Sequence, residues 1–386
     1  MTMLFLLSCV VHDLRAVPIG ATVSLPLDDG PHDWAQTEWW HVHAELADVE
    51  TGELYQLFAG FVVERTDLDR VAFVPVPLGA NPFHAAYARL ATESGAWTAD
   101  RENFPDFFAA GFLDDGALDL FHGDWRLRRE GADVVLRTSA GPVATEIRLT
   151  PTRSPTFPGE GGRVEMPPGS AHLWAQEEAM EVSGRWTQGG KTRWVEGTGF
   201  VKHQWGRIYN ADVDGFEWIS ANLPGGRALS IGWVNGDGMT GLPGSRAWIA
   251  AADGQVTPID PATMVVSRQD TWRSQRSGAT WPVRWHVEAP GLDLDVQAID
   301  VDAELWVFPV AIWAGATRVT GTLDGEAVDV TGFAEQAGAD RPAFRALFHS
   351  DPPPGAAVAR TPAAPAPEGP LVPWTLAVGS ETEDAP

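Results

Sequence analysis

The sequence has little of several residue types, and each shortage excludes a class of protein. Its 386 residues include one cysteine, Cys9, which excludes an internal disulfide framework and a zinc site built from cysteines. Lys and Arg total 27 against 52 Asp and Glu, and the net charge of -25 disfavours binding to nucleic acids or to anionic membranes. No apolar run approaches the roughly 20 residues that span a bilayer. No nucleotide, flavin or nicotinamide fingerprint is present, so we expect no cofactor.

The two ends of the chain carry signals of their own. Leu6-Leu7-Ser8-Cys9 is typical of a bacterial lipobox, in which the cysteine is lipidated, although no Lys or Arg precedes the short apolar run. We therefore expect residues 1–23 to be a lipoprotein signal and linker, with a secreted or cell-envelope protein that touches the membrane only through Cys9. If the signal is not real, the protein is cytoplasmic. Eight prolines in Asp351–Pro373 predict a tail without regular structure over residues 350–386.

The body of the chain has the rhythm of an all-β protein. Short runs rich in Val, Ile, Thr, Trp and Phe alternate with turn signals such as Pro224-Gly225-Gly226, which is typical of antiparallel hairpins in a sandwich or barrel. Asn81–Thr92, with Pro82 near its start, predicts a short helix. Thr150–Pro168 is rich in Gly and Pro and predicts a long loop. Strands are predicted at Trp39–Ala47, Leu54–Val63, Leu118–Arg128, Val134–Thr138, Glu146–Thr150, Met180–Gln188, Arg193–Lys202, Phe216–Leu223, Arg227–Asn235, Arg246–Ala251, Val283–Glu288, Leu292–Ala298, Trp306–Gly315 and Ala327–Gly332.

Three patches carry a family resemblance. They are Glu38-Trp39-Trp40-His41; Lys202-His203-Gln204-Trp205-Gly206 followed by Gly215-Phe216-Glu217-Trp218; and Pro282–Trp285 followed by Trp313–Gly321. Their order and spacing resemble the AttH-like, carotenoid 1,2-hydratase (hydroxyneurosporene synthase) family, from about Pro31 to Phe333. The resemblance implies two tandem lipocalin-like β-barrels, which we place at residues 24–205 and 206–349. It also implies apolar, isoprenoid-type substrates, chiefly water addition to a terminal alkene, with hydratases or pericyclases among the fungal relatives.

The chain departs from the family pattern at ionisable positions. Lys202 stands where the family commonly has Asp, and Ala314 replaces the glutamate of a late W-E-G segment. The aromatic pair before the second patch is Trp174-Ala175, whereas the acid of the G-W-D-W strand is kept as Glu217. These losses favour a non-catalytic lipid carrier of the cell envelope as the second candidate function.

Hydration of an alkene needs a proton donor in a dry pocket, aromatic faces for the carbocation and a held water. We predict Glu217 as the acid and His203 as the base that orients water, with Glu38 as a second candidate acid. The simpler alternatives are structural. Glu217 would pair with an arginine such as Arg207 or Arg246, His203 would tie the two barrels together, and Glu38 would close a barrel end against an arginine. The predicted ligand-binding tryptophans are Trp39, Trp40, Trp205 and Trp218.

Two further patterns are weaker. His41 and His43 share a strand face and could chelate a metal with a third ligand from His203, Glu217 or His32, but a polar pair is the simpler interpretation. The 18 tryptophans fit either two barrel cores or the lining of a ligand cavity. Our first candidate function is binding of an apolar isoprenoid- or lipid-like molecule in a Trp-lined cavity, with acid-catalysed hydratase or cyclase chemistry. A distant third is a glycan-binding or glycan-cleaving module, with Trp97 near Asp100 and Glu102.

Overall fold

The computed structural model describes residues 16–65, 70–71, 74–75, 82–103, 110–112, 117–166, 170–208, 213–236, 239–240, 243–307 and 310–339. The predicted lipidation site Cys9 and the proline-rich tail lie outside these residues. Within them the chain is built from β-strands with two short 3-10 turns, Pro224–Gly226 and Pro261–Thr263, and no α-helix. Accordingly, no helix in this part of the chain is long and apolar enough to cross a membrane.

The first sheet is antiparallel and twelve-stranded, in the order β6-β5-β2-β1-β14-β13-β11-β10-β9-β8-β7, with β12 beside β13. Strand β10 also contacts β5 and β6, so the sheet curls back on itself. Two further short strands, β3 (Arg70–Val71) and β4 (Val74–Pro75), pair with each other. The strands of the first sheet are β1 (Thr37–Asp48), β2 (Leu54–Glu64), β5 (Phe83–Thr92), β6 (Gly95–Asn103), β7 (Ala110–Phe112), β8 (Asp119–His122), β9 (Trp125–Glu130), β10 (Asp133–Ala140), β11 (Val143–Thr150), β12 (Arg163–Glu165), β13 (Ala171–Gln188) and β14 (Lys191–Arg207).

The second sheet is antiparallel and eleven-stranded, in the order β19-β18-β16-β15-β25-β24-β22-β21-β20, with β17 beside β16 and β23 beside β24. A side chain of β15 reaches across to β20, five places away in this order, so the second sheet curls as well. Its strands are β15 (Gly215–Leu223), β16 (Arg227–Gly236), β17 (Met239–Thr240), β18 (Arg246–Ala250), β19 (Val256–Ile259), β20 (Val265–Arg273), β21 (Thr280–Ala289), β22 (Leu292–Ala298), β23 (Glu304–Val307), β24 (Val310–Leu323) and β25 (Glu326–Ala337).

Each curled sheet encloses its own hydrophobic core. Successive side chains of a strand point to opposite faces, so Trp125 and Leu127 of β9 face inward while Arg126 and Arg128 face outward. The second core contains four large indole rings, Trp233, Trp281, Trp285 and Trp313. The prediction of an all-β protein with two antiparallel barrel-like units is confirmed.

The predicted helix at Asn81–Thr92 is wrong, because Phe83–Thr92 forms strand β5 between β2 and β6. Its alanines favour a helix locally, but in the strand they let both faces pack closely. Ala86, Ala88 and Leu90 face the first core, and the opposite face is also covered. The predicted loop at Thr150–Pro168 contains the short strand β12, which pairs with β13.

Strand β1 is covered on both faces, and this places the candidate site. Trp40 and Val42 belong to the first core, whereas Trp39 on the other face belongs to an apolar cluster that includes Phe333 of the second sheet. The two sheets therefore pack against each other along β1 and its neighbours. We call this layer the seam. It is formed by Trp39, His41, His43 and Glu45 of β1, alternate residues of β13 and β14, and the facing residues of β15, β16 and β25.

Candidate functional site

The seam face of β1 carries two histidines and one carboxyl group in sequence. Because side chains alternate along a strand, His41, His43 and Glu45 point to the same side. This side faces β25 of the second sheet, where Phe333 and Glu335 are the nearest partners. The strand thus brings titratable groups into a layer that protein covers on both sides.

His43 is held between aromatic rings. Its ring centroid lies 4.1 Å from that of Phe333 and 5.2 Å from that of Phe200. Burial lowers the pKa of His43 to about 3, so the imidazole is neutral at physiological pH. Its buried Nε2 atom has no hydrogen-bond partner in the described part of the chain. That nitrogen can accept or donate a proton to a small molecule placed beside it.

Glu45 lies two residues farther along the same face. Burial raises the pKa of its carboxyl group to about 8, and no ion pair or hydrogen bond to another described residue offsets that effect. The carboxyl group therefore keeps its proton at neutral pH. The side chain of Glu45 is half-buried, and a carboxylic acid that keeps its proton at neutral pH is a proton donor of suitable strength for acid catalysis.

A small cavity separates these two side chains from the second sheet. Its volume is about 20 Å³, which is room for about one water molecule. His43, Glu45, Phe200 and Phe333 line it together with residues of β13, β15 and β16, of which the polar ones are Gln176, Glu178, Ser220, Asn222 and Ser230. The cavity thus combines a proton donor, an imidazole, hydroxyl groups and two aromatic rings.

A bulge in β13 brings a second carboxyl group to the cavity. Pairing of β13 with β14 shifts between Glu177 and Met180, and Ala179 has a φ of 49°. Glu178 therefore faces the seam, while Met180 returns to the first core. Burial raises the pKa of Glu178, although hydrogen bonds from Ser230 (2.9 Å) and Trp248 (2.8 Å) act against it.

A buried ion pair connects the two sheets beside the cavity. Lys202 Nζ of β14 lies 2.7 Å from Glu335 Oε2 of β25, and His41 Nδ1 lies 3.0 Å from Glu335 Oε1. His41 Nε2 contacts the hydroxyl group of Tyr87. Burial alone would raise the pKa of Glu335, but His41 and Lys202 together lower it to about 2. Lys202 thus has its acid partner on the other sheet.

Glu38 and His203 meet inside the first domain. His203 Nε2 lies 2.9 Å from Glu38 Oε1, and His32 Nδ1 lies 2.8 Å from the same oxygen. Burial alone would raise the pKa of Glu38, but the hydrogen bonds from both histidines lower it to about 2. Arg65 Nη1 is 3.6 Å from Glu38 Oε2 and supplies the arginine expected at the barrel end.

Glu217 has a separate environment inside the second domain. Its Oε1 accepts hydrogen bonds from Arg268 Nε (2.8 Å) and Asn235 Nδ2 (3.0 Å), and its Oε2 accepts one from Trp285 Nε1 (2.7 Å). The arginine partners considered from the sequence, Arg207 and Arg246, are wrong, because Arg268 of β20 takes that place. These contacts do not join Glu217 to His203.

The four predicted ligand-binding tryptophans divide into two pairs. Trp40 and Trp205 stack on the two sides of His203, with centroid distances of 4.4 and 4.3 Å. Trp39 and Trp218 lie in the seam, where Trp39 Nε1 donates to Gln204 (2.9 Å) and Trp218 is 5.4 Å from Lys202 Nζ. Trp97, considered for glycan stacking, packs against the first core.

His41 and His43 do not converge on a common third ligand. His41 binds Glu335 and Tyr87, while His43 packs between phenylalanine rings. In the described ranges, the group that brings three potential metal-ligand atoms within 4.8 Å of one another is His32, Glu38 and His203.

The sequence patterns missed Glu45, Glu178, Glu335 and Tyr87. For Glu45 a signal was present, since extending the two-residue period of His41 and His43 by one step reaches it. For Glu178 no such signal exists, because its orientation depends on a bulge. Glu335 becomes a partner of Lys202 only through contact between the two sheets.

Comparisons with known proteins agree with this architecture. A family model described as AttH-like matches residues 16–339, so the chain belongs to the AttH-like family. The fold is similar to that of an AttH protein from Nitrosomonas europaea (24% identity, TM-score 0.73, 84% of this chain and 100% of that one). It is also similar to kievitone hydratase from Nectria haematococca (13%, 0.64, 84% and 96%) and to CghA in complex with Sch210972 (13%, 0.52, 84% and 96%). No curated protein sequence matches the chain.

Proposed function

We propose that this member of the AttH-like family binds an apolar, isoprenoid- or lipid-like molecule at the seam and adds water to it, or closes a ring in it, by acid catalysis. One observation carries the proposal. The seam cavity places a carboxyl group that keeps its proton at neutral pH, Glu45, beside an imidazole that does not, His43. The proposed assignment therefore moves the acid from Glu217 to Glu45.

In the proposed hydration, Glu45 donates its proton to one carbon of a substrate double bond. The positive charge that develops on the other carbon is stabilised by the faces of Phe200 and Phe333. A water in the cavity adds to that carbon, and His43 Nε2 accepts the proton that the water loses. In a ring closure, a second double bond of the substrate attacks instead of water, and the new cation loses a proton to His43 Nε2. In both reactions that proton then returns from His43 to Glu45, which restores both groups.

The size of the cavity sets a requirement on substrate entry. A volume of about 20 Å³ admits a water but not an isoprenoid chain. Binding therefore needs side chains of the seam to separate, as happens in proteins whose sites open on ligand binding. Two proteins of similar fold support a small-molecule substrate: one is named kievitone hydratase, and the other, CghA, was solved with the small molecule Sch210972.

The test begins with native mass spectrometry of the purified protein and identification of any apolar compound extracted from it. Turnover of that compound, or of a polyene panel if none co-purifies, is followed in D2O, where the product must gain one deuteron on carbon. Glu45→Gln is expected to lower turnover by about 100-fold or more. Glu181→Gln, at an exposed position of β13, is the matched control. Full activity of Glu45→Gln would overturn the assignment, and loss only in Glu217→Gln would restore the original one.

A non-catalytic lipid carrier is the second candidate. The resemblance leads one to expect acids at the positions of Lys202 and Ala314, and their loss favours a carrier. Lys202 is paired with Glu335, and Ala314 is completely buried. A carrier would return the extracted compound unchanged after incubation, with equal binding by wild type and Glu45→Gln.

The proposed location is the cell envelope, with a lipid anchor at Cys9. The lipobox pattern Leu6–Cys9 supports it. Mass spectrometry of the membrane fraction should find a diacylglyceryl group on Cys9. An unmodified Cys9 in the soluble fraction would contradict this proposal.

A further inference from the structure

We propose that His32, Glu38 and His203 bind a divalent transition metal ion, with zinc as the probe, in a site of the first domain that is separate from the seam cavity. The inference does not depend on the proposed function. Two imidazoles and one carboxylate are a ligand set that zinc and related ions accept, with open positions left for water.

The distances between the ligand atoms fit such an ion with little movement. His32 Nδ1 and His203 Nε2 lie 2.8 and 2.9 Å from Glu38 Oε1, and all three atoms lie within 4.8 Å of one another. Bond lengths of about 2.1 Å require ligand atoms about 3.0 Å apart at right angles and about 3.4 Å apart in a tetrahedron. The N–O separations therefore need to grow by about 0.6 Å or less.

The surrounding residues hold the two imidazoles in place. His203 lies between Trp40 and Trp205, and His32 stacks on Trp205 at 4.5 Å with an interplanar angle of 7°. Glu38 Oε2 accepts a hydrogen bond from the backbone N–H of His32 (2.8 Å). The ligand atoms are thus oriented before any ion binds, which lowers the entropic cost of binding.

The atoms behind the ligands also permit metal binding. Asp28 Oδ1 lies 3.7 Å from His32 Nε2, which puts a carboxylate behind the outer imidazole, as is usual around ligating histidines. His203 Nδ1 has no hydrogen-bond partner in the part of the chain described. No described donor therefore prevents Nδ1 from carrying the proton, which leaves the lone pair of Nε2 free to bind a metal. Arg65 is close to Glu38, and its charge opposes a second cation, so we expect micromolar affinity.

Of the three ligand residues, His32 is the most exposed to solvent. The side chain of His32 is 14% exposed, whereas those of Glu38 and His203 are 0% and 3% exposed. An ion would therefore enter past His32, and water would complete its coordination from that side. Because His32 precedes the first strand, its side chain can be removed with little effect on the sheet.

The experiment uses the full chain, purified without a histidine tag and treated with a chelator. Titration calorimetry with zinc chloride should give one ion per chain, and cobalt(II) should give visible absorption bands of nitrogen and oxygen coordination. His32→Ala should weaken zinc binding by at least about 10-fold and abolish the cobalt bands. His286→Ala is the matched control, because His286 lies on the second sheet near Asp293 and Asp295.

Two outcomes would overturn the proposal. One is the absence of zinc binding by the wild-type protein up to 1 mM, on the order of the weakest specific affinities. The other is equal zinc binding and equal cobalt spectra in wild type and His32→Ala. Either result would leave Glu38 as a carboxylate that simply accepts hydrogen bonds from two histidines.

Discussion

The seam cavity and the interior of the second barrel each contain a glutamate on a strand, and the two differ in their partners. Glu217 in the second barrel accepts hydrogen bonds from Arg268, Asn235 and Trp285. Glu45 in the seam has no such partner among the residues that the structure describes, and burial raises its pKa to about 8. A carboxylate surrounded by donors contributes to the fold, whereas one without them keeps a proton that it can transfer. The proposed function therefore assigns a structural role to Glu217 and the role of proton donor to Glu45.

The largest predicted effect concerns the paired charges of the seam itself. Lys202→Met leaves the buried Glu335 carboxylate without its cation, so we expect a loss of about 3–5 kcal/mol in the free energy of unfolding. Urea denaturation at pH 7 measures it. The double variant Lys202→Met/Glu335→Gln should recover part of the loss. A single-variant loss below about 1 kcal/mol would mean that the ion pair does not hold the sheets together.

The next prediction compares the two glutamates directly. Glu217→Gln removes a charged acceptor from Arg268 and should cost about 2 kcal/mol. Glu45→Gln at pH 6 removes a carboxyl group that is neutral in the folded chain but ionised in the unfolded one, so it should not lower the free energy of unfolding and should raise it slightly. Equal losses in the two variants, measured by urea denaturation, would remove the distinction between them.

Acidification tests the imidazole beside Glu45. The pKa of His43 is about 3 in the folded protein and about 6.5 unfolded, so the unfolded chain binds the extra proton first. Stability is then complete above pH 6.5 and falls by about 1.4 kcal/mol per pH unit as the pH drops toward 3. His43→Phe should remove this contribution.

Burial also lowers the pKa of His172 to about 3. The free energy of unfolding of His43→Phe should therefore still fall on acidification, because His172 is unchanged in that variant. His286→Phe on the second sheet serves as a control. Identical acid slopes in wild type and His43→Phe would show that His43 protonates as easily in the folded chain as in the unfolded one.

The smallest predicted effect lies on the alkaline side. The pKa of Glu45 is raised to about 8 in the folded state, so its contribution is complete below about pH 4.5 and is lost as the pH rises through 8. Because the side chain is partly exposed, the slope should be less than about 1.4 kcal/mol per pH unit. Glu45→Gln should flatten the stability curve between pH 5 and 8. An unchanged curve would place the pKa of Glu45 near its ordinary value.

The sequence predicted the fold better than the site. Along β1, β9 and β16, alternating residue patterns and flanking turn residues indicate which side chains face a core. The all-β architecture could therefore be predicted from them. The alanine-rich β5 was missed because its pairing with β2 and β6 overrides its local preference. The partners of Glu217 and Lys202 were missed for another reason, since Arg268 and Glu335 lie about 50 and 130 residues away and meet them only when the sheets curl and pack.

The protonation state of Glu45 is the most direct test of the assignment to the seam. Carbon-detected NMR of the protein labelled with 13C-glutamate, read as the difference between wild type and Glu45→Gln, follows its carboxyl carbon from pH 4 to pH 9. The seam assignment predicts a titration midpoint near 8, with the proton still bound at pH 7. A midpoint near 4.5 would show an ordinary, ionised carboxylate and would contradict acid catalysis by Glu45.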